Sequence, residues 1–138
     1  MKIILTIFTS LLFSCGNSTK PNKTPTITLQ QVQCLNNDKE YVKHAIETYK
    51  QVFFRKEEDI YLFKTTDDTV VGYLFEQGEC TAVLTQIPSN GMADAEKFIA
   101  AEVKKNHGPM FITKDNVQFK YYTAKQGADY YLVASDFN

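Results

Sequence analysis

The chain has 138 residues, with 15 basic against 16 acidic side chains, two histidines and three cysteines. That length supports one hydrophobic core. The scattered, nearly balanced charge gives no basic stripe for nucleic acid or for an anionic membrane surface. Two histidines and three cysteines are also too few for a soft metal cluster.

The N-terminus carries an address. Lys2 supplies a positive charge, and residues 3–13 are almost wholly apolar, broken by Thr6, Thr9 and Ser10. A run of that length matches a signal-peptide core and is too short for a membrane span, which needs about 20 apolar residues. Leu12-Phe13-Ser14-Cys15 then resembles the lipobox of small bacterial lipoproteins. Ser14 is the small residue before the cysteine, and Leu12 is the usual residue three before it. Phe13 is bulkier than the usual occupant. The resemblance covers residues 1–15 alone. It implies that Cys15 is lipidated on sulfur with palmitate-like chains and that residues 1–14 are cut away. Several acyl chains anchor firmly, at about 0.8 kcal/mol per buried methylene. Gly16, rather than Asp, implies sorting to the outer membrane, facing the periplasm, with surface exposure left open. An ordinary secretory signal with a chance cysteine is the alternative.

GNSTKPNKTP, within residues 15–25, is polar and holds two prolines and two lysines. It predicts a flexible tether. A single domain then spans 26–138. Without Lys2, Lys20 and Lys23 the mature chain has 12 basic and 16 acidic residues, a net charge of −4. Cys34 and Cys80 would lie in an oxidising compartment, where a disulfide is expected. It would close a loop of about 47 residues and stabilise by about 4 kcal/mol on the chain-entropy model. Two buried free thiols are the alternative.

ITLQQVQCL (27 to 35) reads as a strand or extended lead-in. Asn37 followed by Glu40 reads as a helix start. Val42, Ala45, Ile46, Tyr49 and Phe53 recur at helical spacing, so a helix is predicted over 38–53. DIYLFKT (59 to 65), TVVGYLFE (69 to 76) and ECTAVLTQI (79 to 87) read as strands separated by Asp67-Asp68 and Gln77-Gly78. A second helix is expected after Pro88, capped by Ser89 or Asn90. Met92, Ala95, Phe98, Ile99 and Val103 form its buried face, and His107-Gly108-Pro109 ends it. MFIT (110 to 113), VQFKYYTA (117 to 124) and DYYLVAS (129 to 135) give three more strands. The fold class is α+β: an antiparallel sheet with two helices on one face, in the order α-β-β-β-α-β-β-β. VVGYLFEQGECTAVL aligns loosely with VQFKYYTAKQGADYYLVA. A duplicated α-β-β-β unit and two unrelated glycine-turn hairpins both explain that likeness.

No nucleophile elbow, HExxH, phosphate loop or dinucleotide fingerprint occurs. His44 reads as a helix-boundary residue and His107 as a helix end. A Cys80–His107 dyad is less natural than a disulfide. Glu57-Glu58 and Asp67-Asp68 read as solvated turn carboxylates, a weak calcium signal. Neither catalytic nor metal-ligating residues are assigned, and no cofactor is expected. The unusual feature is tyrosine. With a hairpin centred near Gln126, Tyr122 faces Tyr130 and Tyr121 faces Tyr131, and one pair points outward as a candidate binding surface. Cross-strand aromatic pairs also stabilise sheets unaided. The expectation is a non-enzymatic, membrane-anchored module that binds an envelope protein, with an inhibitor or immunity protein as a special case. The alternative is a carrier of a small apolar ligand held between sheet and helices.

Overall fold

A computed structural model describes residues 24–136. The signal sequence, Cys15 and the tether up to residue 23 lie outside the described residues. The elements in chain order are α1 (Leu29–Val32), α2 (Lys39–Thr48), β1 (Val52–Glu57), β2 (Ile60–Lys64), β3 (Val70–Glu76), β4 (Glu79–Ile87), α3 (Met92–Asn106), β5 (Phe111–Ile112), β6 (Gln118–Gln126) and β7 (Asp129–Asp136). The strands form one antiparallel sheet in the order β1-β2-β3-β4-β7-β6-β5. The α+β class stands. A short helix and an extra strand join the expected order.

Both additions have local causes. Residues 27–35 do not form a strand. Thr28 Oγ1 accepts from the Gln31 amide at 3.2 Å, and Gln31 Oε1 accepts from the Thr28 amide at 2.8 Å. This reciprocal cap starts a helical turn. Gln31 Nε2 then donates to the Leu84 carbonyl at 3.2 Å and to Thr85 Oγ1 at 3.1 Å, which fastens α1 to β4.

α2 is capped by Asp38, not Asn37: the Tyr41 amide donates to Asp38 Oδ1 at 2.9 Å. The helix stops at Thr48, because Lys50 sits in the left-handed region at φ 58°. A non-glycine residue there cannot continue a right-handed helix. Phe53 therefore belongs to a strand instead of to the helical stripe. α3 begins at Gly91 with no side-chain cap, so neither Ser89 nor Asn90 serves. It ends as expected, with His107 left-handed at φ 59° and the Gly108 amide donating to the Val103 carbonyl.

Strand alternation sends side chains into two clusters. The first joins Val71, Tyr73, Val83, Leu132 and Ala134 of the sheet to Val42 of α2 and Ala95 of α3. Ile27, Val32, Cys34, Leu35, Cys80, Ile87, Phe111 and Phe119 belong to it as well. The second is drawn from strands alone: Leu62, Ala82, Leu84, Tyr131 and Val133.

The second cluster is buried because the sheet curls over it. Arg55 of β1 reaches Asp129 of β7 at 3.0 Å, although β2, β3 and β4 lie between them in the sheet. In a flat sheet those two strands would stand about 19 Å apart, at about 4.8 Å per strand. Gly72 permits the curl. A Cβ there would meet Leu62 Cδ2 at 2.8 Å and Ile60 Cγ2 at 3.2 Å. Leu62 thus lies over the β3 backbone and is 0% exposed.

Candidate interaction surface

The β6–β7 register decides where the tyrosines point. Gln126 pairs with Asp129, so the hairpin turns at Gly127-Ala128, with Gly127 at φ 64°. Tyr121 pairs with Ala134, Tyr122 with Val133, Ala124 with Tyr131 and Lys125 with Tyr130. The expected Tyr122–Tyr130 and Tyr121–Tyr131 pairs do not form, because the turn lies further along than Gln126. The shift changes the face of every residue on one strand relative to the other. Tyr121 packs half-buried in the first cluster, edge-on to Phe98 at 5.4 Å and Phe111 at 4.8 Å. Burial, then the Glu102 carboxylate, push its hydroxyl pKa up to about 12. Tyr131 is 1% exposed in the second cluster. Tyr122 and Tyr130 remain exposed, at 38% and 45%, on opposite faces of the sheet.

Tyr122 shares its face with the open part of the sheet. Ile112 pairs with Gln118 and is 60% exposed, and alternation places it on the same side as Tyr122. Lys120 Nζ sits 5.7 Å from the centre of the Tyr122 ring, a cation–π distance. Lys125 lies equally far from the Tyr130 ring.

A second exposed aromatic group lies at the other sheet edge, and the sequence reading missed it. Val52, Phe53 and Phe54 of β1 all face solvent. Phe53 packs edge-on against Phe63 at 5.7 Å. Phe54 is the extra residue of a bulge between Phe53 and Arg55. Three consecutive large apolar residues followed by Arg55-Lys56 were the available signal, masked by the helical spacing from Tyr49 to Phe53.

Arg55 anchors a polar cluster beside Tyr131. Its Nε donates to Glu57 Oε2 at 2.8 Å and its Nη2 to Asp129 Oδ2 at 3.0 Å. The guanidinium stands near the Tyr131 hydroxyl without a well-formed hydrogen bond, and that hydroxyl and Glu57 Oε1 are buried without partners. Burial, then the Glu57 and Asp129 carboxylates, raise the Tyr131 pKa.

Cys34 and Cys80 are both buried in the first cluster as free thiols, and the expected disulfide is not formed. Each sulfur donates to a backbone carbonyl instead, Cys34 to Gln30 at 3.5 Å and Cys80 to Ala82 at 3.4 Å. The backbones around them are tied together: the Asn36 amide donates to the Cys80 carbonyl at 2.7 Å, and the Cys80 amide to the Asn37 carbonyl at 2.8 Å. Burial pushes the Cys34 thiol up to about 11 and raises that of Cys80 further. Such thiols are poor nucleophiles. His44 and His107 are both exposed.

An open cleft of about 810 Å³ lies among the described residues. Its lining mixes Thr26, Thr28, Gln51 and Gln86 with Pro25, Val70, Val71 and Pro88, and most of its exposed surface is apolar. Among the described residues no three His, Cys, Asp or Glu side chains converge as metal ligands, and no helix is long and apolar enough to cross a membrane. No family model, curated protein or solved structure matches this chain significantly.

Proposed function

We propose that this chain is an envelope lipoprotein, anchored through Cys15 in the periplasm-facing leaflet of the outer membrane, that works as a non-enzymatic protein-binding module. In this reading α2 and α3 sit on one face of two joined α-β-β-β units, and β1 is an addition to the first. The other face, where β5 and β6 lie beyond the curl, meets the partner. An inhibitor or immunity protein is the special case suited to a mature charge of −4.

The observation that carries this reading is Tyr122. It is a rigid, amphipathic ring left exposed on the same sheet face as exposed Ile112, with the Lys120 ammonium 5.7 Å from its centre. Tyrosine is among the residues most enriched at the hot spots of protein interfaces. The apolar-ligand carrier needs an enclosed apolar cavity. The cleft of about 810 Å³ is open rather than enclosed, which favours the protein-binding reading.

The test is purification of the chain from its own membranes in mild detergent after brief crosslinking. One enriched protein, lost from Tyr122→Ser with Ile112→Ser and retained by Tyr130→Ser, is the expected outcome. A stoichiometric apolar small molecule with no protein would overturn the reading in favour of the carrier.

A further inference from the structure

We propose that the β1 edge is the surface on which the anchored domain rests against phospholipid. The inference depends on the Cys15 anchor and goes beyond it, because an acyl anchor alone fixes distance and not orientation.

Three observations meet at this edge. The first is composition. Val52 is 67% exposed, Phe53 56% and Phe54 40%, with Tyr49 beside them. β1 ends the sheet and pairs only with β2. A contiguous apolar edge of this kind is a liability in water unless something covers it. The second is the placement of cations. The Phe54 ring has the Arg55 guanidinium, paired with Glu57 and Asp129, 4.8 Å from its centre and the Lys64 ammonium, loosely paired with Asp68 at 3.7 Å, at 4.6 Å. Lys50 adjoins the strand. Phenyl rings at the glycerol level with long basic side chains reaching the phosphates form the usual interfacial arrangement.

The third observation is where the chain leaves the domain. Thr24 and Pro25 line the same cleft as Tyr49 and Gln51, the residue before β1. From Cys15 to Thr24 the chain spans at most about 30 Å. The chain therefore enters the domain at the end of the sheet where β1 starts, with Thr26 on Thr85 of β4, and a tether of that reach lets this end meet the bilayer. Acidic turns stand at both ends of the sheet: Glu57-Glu58-Asp59, Glu76 and Glu79 at the far end of β1, and Asp67-Asp68 at the Val52 end.

A second copy fits this edge less well. The Phe54 bulge interrupts the regular edge.

The chain contains no tryptophan, so a single introduced indole reports its own surroundings. The full chain, processed in a lipoprotein-competent bacterial host, is purified from membranes and reconstituted into phosphatidylcholine vesicles with and without bromine on the acyl chains. Phe54→Trp tests the edge, Phe53→Trp repeats the test on its other side, and Tyr61→Trp, toward the far end of β1, is the control. Circular dichroism confirms that each variant keeps the parent fold. Bromolipid should quench about half or more of the emission at position 54 or 53, as insertion about 5–10 Å into the headgroup boundary requires. Position 61 should stay bright. Equal quenching at all three positions, or none at 53 and 54, would overturn the proposal. So would a concentration-dependent blue shift without lipid, which would mark pairing of two copies. Mass spectrometry of the same samples separates the two readings: an unacylated Cys15 defeats the anchor, whereas an acylated chain with an unquenched edge defeats only the orientation.

Discussion

Arg55 and Asp129 are joined by a 3.0 Å ion pair although three strands separate them in the sheet. The pair is the visible sign that β1 curls toward β7 and closes a second core without a helix. Its two side chains are about one-third exposed, so solvent screens the attraction. Replacing Asp129 by Asn should cost about 0.5–1 kcal/mol, and less at high salt. Arg55→Ala should cost more, because it removes the partner of both Glu57 and Asp129. Urea unfolding midpoints at low and high salt would check both, and a cost for Asp129→Asn that does not change with salt would contradict the ionic account.

Gly72 should tolerate no side chain while Leu62 is present. Its φ is not in the left-handed region, so the requirement is space and not backbone freedom. Gly72→Ala forces a contact now at 2.8 Å with Leu62, and overpacking of this kind costs about 1–3 kcal/mol. Leu62→Ala opens a cavity at a cost of about 2–5 kcal/mol. The double variant should cost less than the sum of the two. Strict additivity in thermal unfolding would show that the contact is not the cause.

The Tyr131 hydroxyl is buried without a partner. A buried, unsatisfied hydroxyl is a net expense. Tyr131→Phe should therefore leave stability unchanged or raise it by up to about 1 kcal/mol. A loss above that, seen in chemical denaturation, would mean that the hydroxyl is hydrogen-bonded in solution.

The thiols give a pH dependence. Burial raises the folded Cys34 pKa from 9.0 to about 11 and moves Cys80 in the same direction. Below about pH 9 both folded and unfolded thiols are protonated and the stability is intact. Above that the unfolded chain ionises first, so stability falls as pH rises toward about 11 and beyond, by about 1.4 kcal/mol per unit of separation for each group. Cys34→Ala should flatten part of that fall. The native chain should also resist a thiol reagent at pH 8 until it is unfolded. Rapid labelling of the folded protein would contradict the burial.

Much of this fold was legible from periodicity. β2, β4 and α3 lie where alternation and the 3.6-residue stripe place them, and His107-Gly108 ends α3 as its sequence indicates. The misreadings share a cause: local pattern underdetermines where a period stops. Tyr49 and Phe53 fit a helical stripe, yet Lys50 adopts a left-handed backbone with no glycine to announce it. Thr28 and Gln31 carried the capping-box signal for α1, but the surrounding aliphatic residues suggested a strand. The tyrosine surface failed on register. A turn at Gly127-Ala128 instead of Gln126 reassigns the faces, so that Tyr131 enters a core while Tyr122 stays outside. The curl was not legible at all, since it depends on Gly72 admitting Leu62 and on contact between residues 55 and 129.

The account rests on the membrane anchor, and the intact mass of the protein extracted from its own membranes tests that most directly. The account predicts a chain beginning at residue 15, heavier than its sequence by a diacylglyceryl group and an amide-linked acyl chain on Cys15. In Cys15→Ser that added mass should be absent and the protein should leave the membrane fraction. An uncut chain, or one cut elsewhere with Cys15 unmodified, would contradict it.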